Sequence, residues 1–344
     1  WITPLTLMRY NRVQLSGLTY ELAPNVVTSS ELEKRVEPVY HKLGFPIGQL
    51  EALTGIRERR WWDAGFKLSD GAARAGGKAL QKAGVPASAL GALIYAGVCR
   101  ESAEPATACA VASTLGVGRD CAVFDISNAC LGVLSGIVDV ANRIELGQIK
   151  AGLVVSCESA REINEAMIAS MVAKPTMEHF KLSIATLTGG SGAVAVLLTD
   201  GSFAAKGPRL VGGATQAAPE HWDLCRWERD FMRTDAALVL KNGVELARGT
   251  WGRFLSNLGW MPANVDKTIC HQVGGPHRAA VLQAFGVPQE KDFSTYEYLG
   301  NIGTVSLPLT AAIAAERGHL THGDKVGFLG IGSGLNCLML GWEW

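Results

Sequence analysis

"SNACLGVLSGIVDVANRIELGQIKAGLVVS" runs from Ser127 to Ser156, and "GNIGTVSLPLTAAIAAERGHLTHGDKVGFLGIG" runs from Gly300 to Gly332. Each contains an Asn, a helix-period stretch, a Gly-bearing stop, a charged turn and then a glycine-flanked apolar strand. A second pair keeps the same order: "LIYAGVC" followed by "ASTLGV" is answered by "TICHQVG" followed by "LQAFGV". Self-similarity of this kind marks a duplicated unit, and a repeat missed is a fold misread. The alignment sets Asn128 opposite Asn301 and Cys130 opposite Gly303.

Working outward, strand-like segments rich in small and β-branched residues alternate with helix-period segments. They are Ala92 to Cys99, Cys121 to Ser127, Ala151 to Ser159 and Gly192 to Asp200. That order predicts an α/β protein with buried strands. The pattern breaks at "DGSFAAKGP", so the halves are expected over residues 1–200, carrying the cysteine elbow, and 201–344, carrying a His and an Asn. Two such units pack most simply face to face, with corresponding loops meeting at one centre. Residues 20 to 90 and 160 to 190 have no counterpart of equal length and are expected to be insertions that wall a substrate site or a dimer contact.

Length and composition fit that reading. A chain of 344 residues that is 48% hydrophobic can bury a large core. Lys+Arg and Asp+Glu are equal at 32 each, which excludes a net field toward nucleic acid or an anionic membrane. The eight cysteines lie mostly in apolar segments without C-x-x-C or zinc spacing, which points to a reduced, cytoplasmic protein with no metal. No apolar run is long enough for a membrane span, and "WITPLTLMRYNR" lacks the layout of a leader. The start is open between Met8 as the natural first residue and residues 1–7 as an upstream remnant.

Leu131, Leu134, Val138, Ala141 and Ile144 recur at helical spacing and Gly147 supplies the stop, which places Cys130 in the first turn of a helix. Unpaired N–H groups and the helix dipole there favour a thiolate. The plainer alternative is a small core hydrophobe. His271 directly follows the apolar run "TIC" and faces the postulated centre, or is a structural histidine. Asn301 is the repeat partner of Asn128, or an ordinary helix cap. A thiolate, an imidazole and a carboxamide brought together by the duplication suit acyl transfer. "FLGIGSGLNCLML" (Phe328 to Leu340) is followed by a strand-like run, which rules out a dinucleotide loop; the N–H of Ser333 is expected to form an oxyanion hole with that of Cys130.

"SNACLG", "CHQVGGPH", "GNIGTVSLP", "GIGSGLNC" and "TGIRERRWW" together resemble the condensing enzymes of the thiolase superfamily, in the ketoacyl-ACP synthase III branch, from about Met8 to the C-terminus. The resemblance implies the duplicated αβαβα thiolase fold, a five-layered sandwich, and a homodimer. It also implies that Cys130 is acylated, that His271 and Asn301 serve condensation and that Ser333 lends its N–H. This chain has His271-Gln272-Val273-Gly274 where that branch carries "HQAN", and "LEAL" where it carries a Trp and an Arg. In "HQV", in the "GIGSGLNC" ending and in the acidic residue of "EPATA" it looks closer to the OleA-like acyl-CoA condensing enzymes of long-chain olefin biosynthesis.

That resemblance makes Glu104, 26 positions before Cys130, the base that reaches across the dimer to the partner's cysteine; the bland reading is a solvated loop residue before Pro105. Removing an α-proton suits a condensation in which no CO2 leaves, and burial near the thioester would raise the carboxylate's pKa toward that task. "RERRWW" offers cations for CoA phosphates, with Arg60 the weak candidate, or is a surface charge run. "HWDLCRWERDFMR" (His221 to Arg233) is a candidate border of the entrance. The expected activity is non-decarboxylative Claisen condensation of two fatty acyl-CoA molecules to a β-keto acid, with CoA thioesters as substrates, no cofactor and downstream pathway enzymes as further partners. The rivals are decarboxylative condensation with malonyl-ACP and a non-catalytic thiolase-fold partner subunit.

Overall fold

The computed structural model describes residues 8–228 and 230–344, so the open question about residues 1–7 lies outside the described residues. In chain order the strands are β1 (Met8–Arg9), β2 (Gln14–Leu22), β3 (Asn25–Thr28), β4 (Glu58–Trp61), β5 (Ala92–Ala96), β6 (Ala122–Ile126), β7 (Ala151–Glu158), β8 (Gly192–Thr199), β9 (Arg209–Ala217), β10 (Cys225–Glu228), β11 (Phe231–Thr234), β12 (Lys267–Cys270), β13 (Lys325–Gly332) and β14 (Asn336–Glu343). The main sheet runs β12-β13-β14-β9-β2-β8-β7-β5-β6, with β1 added on β9. Outward from its middle the order is mirrored. β2, β8, β7 and β5 answer β9, β14, β13 and β12, with β7–β5 and β13–β12 the parallel steps. β2 and β9 meet at one register pair, Gln14 with Arg209.

The apolar strands read as continuous runs because both of their faces are covered. Alternate residues of β7 and β8 divide between two cores. Val154, Val194, Val196 and Leu198 face an inner core, while Leu153, Val155, Ala193 and Leu197 face an outer one. The inner core holds the helices Gly132–Glu145 and Ser306–Glu316. The second of these is buried on every side from Ser306 to Ala314, as a helix without a polar face must be. Outside lie Leu68–Ala83 and Thr107–Leu115 against the first half, and Ala236–Leu258 and Gly275–Phe285 against the second. The layers are therefore helix, sheet, helix, sheet, helix, the duplicated αβαβα sandwich.

Three details differ from the sequence reading. Leu68–Ala83 packs on β2, β7 and β8 as Ala236–Leu258 packs on β9 and β14, so it belongs to the repeat and the first insertion stops near Trp62. Along Gly132–Glu145 the buried stripe is Val133, Leu134, Ile137, Val140, Ala141 and Ile144, whereas Val138 is only partly buried. β6 has as its counterpart a single parallel bridge between Thr268 and Asp292. The two insertions share a satellite core: Leu32, Val36, Tyr40 and Trp61 of one meet Ile168, Met171, Phe180 and Leu187 of the other.

Candidate active site

After β6 the chain turns sharply at Ala129, a non-glycine residue held at φ +45°. Such a conformation persists only where its surroundings impose it, and it clusters at functional sites. Ala129–Leu131 form a 3-10 turn and the α-helix begins at Gly132, so Cys130 stands in the turn before the helix rather than in its first α-helical turn. The helix's N-terminal donors are partly used, because the Val133 N–H donates to Thr304 Oγ1 at 2.7 Å.

Cys130 as a whole is only partly buried, yet the setting of its sulfur opposes the expected thiolate. Burial pushes the Cys130 thiol up to about 12, with further upward pressure from Cys225 and Glu158. The N–H groups of Cys130 and Ser333, both directed at the sulfur, pull the other way and are outweighed. Cys130 thus rests as a thiol. Those two N–H groups nevertheless make the oxyanion pocket expected of them geometrically possible. The end of β13 presses against the elbow: a Cβ on Gly332 would stand 3.0 Å from Leu131 Cγ and 3.5 Å from the Cys130 nitrogen. β13 and β14 are joined by the tight turn at Ser333–Leu335, which is why "GIGSGLNC" is a hairpin and not a nucleotide loop. Asn336 ties the hairpin to the elbow by donating its Nδ2 to Asn128 Oδ1 at 3.3 Å.

His271 follows β12 directly, its N–H donating to the Leu329 carbonyl of β13 at 2.9 Å. It is 4% exposed, and neither ring nitrogen has a partner among the described residues. Burial, with a contribution from His277, lowers its pKa to about 3, so the imidazole is neutral and can accept a proton. Orphaned buried polar atoms call for a functional explanation. Gln272, to which the sequence reading gave no role, holds the approach to Asn301: its Oε1 accepts from the N–H groups of Thr295 and Tyr296 at 2.7 and 2.8 Å. Asn301 is fixed by its main chain, N–H to the Thr188 carbonyl at 2.8 Å and carbonyl from the Gly190 N–H at 2.9 Å. Its Oδ1 accepts from Gly303 N–H at 3.1 Å, which leaves the amide Nδ2 as a donor. The turn after Asn301 packs on the cysteine elbow.

The same reading missed Glu158, the last residue of β7, which is 3% exposed. Its two oxygens accept from the N–H groups of Val98 and Cys99 at 2.9 and 3.0 Å. A Cβ on Gly303 would stand 3.3 Å from Oε1, so the carboxylate fills the space that a side chain at the repeat counterpart of Cys130 would need. Burial raises its pKa, opposed by these N–H bonds and that of Thr304. The available signal was a lone acid ending an otherwise apolar strand.

Glu104 lies in an exposed loop between β5 and Thr107–Leu115, and its carboxylate makes no hydrogen bond or ion pair among the described residues. A single chain therefore does not bind it to Cys130. In "RERRWW" the arginines are mostly committed to the fold. Arg59 is fully buried and donates to Ser29 Oγ at 3.0 Å, and Arg60 is half-buried with its guanidinium on the Ala23 carbonyl at 3.3 Å; Arg57 is the exposed cation. "HWDLCRWERDFMR" supplies the hairpin β10–β11, whose Cys225 lies close enough to Cys130 to raise its pKa. Arg226 and Arg233 of that hairpin line a cavity of ≈ 660 Å³ with Lys174 and Phe231.

A duplicated sandwich with a strained cysteine elbow, a neutral buried histidine and a free carboxamide donor defines a thiolase-type condensing enzyme. The comparisons agree: residues 63–206 match the thiolase N-terminal domain and residues 255–344 the 3-oxoacyl-[acyl-carrier-protein (ACP)] synthase III C-terminal domain. The chain is 58% identical to the acyl-CoA:acyl-CoA alkyltransferase of Shewanella oneidensis, over 98% of this chain and 100% of that protein. To the enzyme of the same name from Xanthomonas campestris it is 38% identical, over 98% and 100%. It belongs to the acyl-CoA:acyl-CoA alkyltransferase family. A crystal structure of Xanthomonas campestris OleA with cerulenin bound matches with a TM-score of 0.96 at 37% identity, covering 100% of both chains. Another, with bound lauric acid and lauroyl-CoA, matches with a TM-score of 0.94 at 37% identity, over 97% of this chain and 100% of that one.

Proposed function

We propose that this enzyme joins two fatty acyl-CoA molecules by Claisen condensation without decarboxylation, giving a β-keto acid after hydrolysis. The observation that carries the reading is that Cys130 and His271 are both set against one strand, β13, with both ring nitrogens of the buried His271 unpartnered among the described residues. Such a pair makes its nucleophile during attack. His271 takes the Cys130 proton as sulfur adds to the thioester carbonyl, and the N–H groups of Cys130 and Ser333 hold the oxyanion. His271 then returns the proton to the departing CoA thiolate. For the second acyl-CoA, a carboxylate removes the α-proton while the protonated ring nitrogen of His271 and the Asn301 amide hold the enolate oxygen. The enolate carbon attacks the acyl-Cys130 carbonyl and frees the sulfur.

The base in this proposal is Glu104 of a partner subunit, in a homodimer. Two features support it. The Glu104 carboxylate has no partner among the described residues, and β6, at the sheet edge, leaves Val123, Phe124 and Ile126 only partly buried, a surface that proteins normally cover. Residues 1–200 and 201–344 are proposed as the two halves. β1 nevertheless pairs with β9 and so joins the second half's sheet. The eight free cysteines suit a reducing cytoplasm, and olefin biosynthesis is the proposed pathway. Among the described residues, no helix is long and apolar enough to cross a membrane.

Intact-mass analysis after exposure to acyl-CoA tests the assignment. An acyl adduct is expected on Cys130 and none in Cys130→Ala. Glu104→Gln should keep the adduct and lose condensation, whereas an adduct persisting in Cys130→Ala or condensation persisting in Glu104→Gln refutes the respective role.

A further inference from the structure

The loop that carries Glu104 is exposed throughout from Arg100 to Pro105, and nothing among the described residues holds the Glu104 side chain itself. Its two ends, by contrast, are gripped in the same way. At the root, Glu158 accepts from the consecutive N–H groups of Val98 and Cys99 at 2.9 and 3.0 Å. At the far end, Asp125 of β6 accepts from the consecutive N–H groups of Thr107 and Ala108, both at 2.9 Å. Asp125 thereby also closes the N-terminus of the helix Thr107–Leu115, whose own preceding residue, Ala106, offers no side-chain cap. Each carboxylate projects from a strand of the main sheet, β7 or β6. The loop is short, exposed and stapled to rigid elements at both ends by charge-assisted bonds, which are stronger and more directional than neutral ones.

Resting on the reading of Glu104 as the base, we infer that Asp125 and Glu158 are positioning residues for the condensation step: a pair of carboxylate clamps that fix where the Glu104 loop presents its acid. Neither clamp is asked to touch substrate. The geometry separates the role of Asp125 from that of the cysteine machinery, because its carboxylate bonds to the far end of the loop; Glu158 acts on Cys130 as well. Glu158 also lies against Gly303, so its loss disturbs the turn after Asn301 as well. Asp125→Asn is therefore the primary variant and Glu158→Gln the secondary one. In either amide one of the two N–H groups faces an NH2, so one grip of the pair is lost while the volume is kept.

The experiment measures acyl-enzyme formation on Cys130 and condensation separately, in the full-length enzyme, for Asp125→Asn, Glu158→Gln, Glu104→Gln and the double variant Asp125→Asn/Glu104→Gln. Because misplacing a reacting group by about 1 Å can cost on the order of 10²-fold, Asp125→Asn is expected to slow condensation by roughly tenfold to a hundredfold while acylation stays within about twofold. The double variant should be no slower than Glu104→Gln alone, since a clamp has nothing left to position. Restoring the carboxylate as Asp125→Glu should recover part of the condensation rate. Equal losses of acylation and condensation, multiplying losses in the double variant, or an unchanged rate in Asp125→Asn would each overturn the inference. Unchanged condensation in Glu104→Gln would instead remove the base assignment. Were Asp125→Asn still defective in that case, the clamps would act through some other group, and the inference as stated would fall with a separate signature.

Discussion

Alkylation of Cys130 as a function of pH exposes how the nucleophile is made. With a pKa raised to about 12, only about one thiol in 10⁴ is ionised at pH 8. A free cysteine near 8.5 is then about one quarter ionised, so its thiolate fraction is about 10³ times larger. Iodoacetamide reacts with the thiolate, and its reaction with Cys130 should rise about tenfold per pH unit from pH 7 to 10 without levelling. Peptide mapping separates Cys130 from the exposed Cys109, which serves as an internal reference. Acylation by acyl-CoA should not follow that slope, because His271 removes the proton as the bond forms. A plateau of alkylation below about pH 8 would show a preformed thiolate and refute the argument that burial outweighs the elbow's N–H groups.

Other consequences are as direct. His271, held down to about 3, keeps its acceptor nitrogen until the pH falls through that value, so acylation measured between pH 8 and 5 should show no titration of this group. His271→Ala should slow acylation by about 10²–10⁴-fold. The unfolded chain binds protons at its histidines near pH 6.5, whereas His271 and His277 in the fold do so only at about 3 and about 4; the stability they contribute is therefore lost as pH falls below about 6.5, and His277→Gln should flatten the decline of Tm on acidification. Asp292 is fully buried, accepts from Arg278 Nε at 2.7 Å and also from Thr268 and Cys270. Asp292→Ala leaves the buried Thr268 hydroxyl and Cys270 N–H and the Arg278 Nε without their acceptor and should cost about 1–3 kcal/mol, read by denaturant unfolding.

Much of this was legible in the residues because duplication repeats its own punctuation. The glycine-flanked strands, the stop at Gly147 and the pairing of Asn128 with Asn301 locate both elbows without reference to coordinates. Leu68–Ala83 looks like insertion in the sequence because the helix that answers it, Ala236–Leu258, shares its position on the sheet and not its sequence. The strand opposite β6 has shrunk to one bridge at Asp292 and leaves no periodic trace. Glu158 escaped notice because its partners, Val98 and Cys99, are 60 and 59 residues away and are main-chain groups, on which a sequence pattern is silent. The protonation state of Cys130 escaped for a related reason. Helix position is local and visible in sequence, whereas desolvation sums over the whole enclosure and here prevails.

Carbon–carbon bond formation in this proposal starts from removal of an α-proton by a carboxylate of the protein and not from loss of CO2. Purified enzyme supplied with a single fatty acyl-CoA and no malonyl-ACP tests it most directly, by following CoA release and the β-keto product together. The account predicts a β-keto acid built from both acyl chains, with two CoA thiols released per product and no CO2 evolved in forming it. Strict dependence of product on malonyl-ACP, with CO2 released in step, would contradict it.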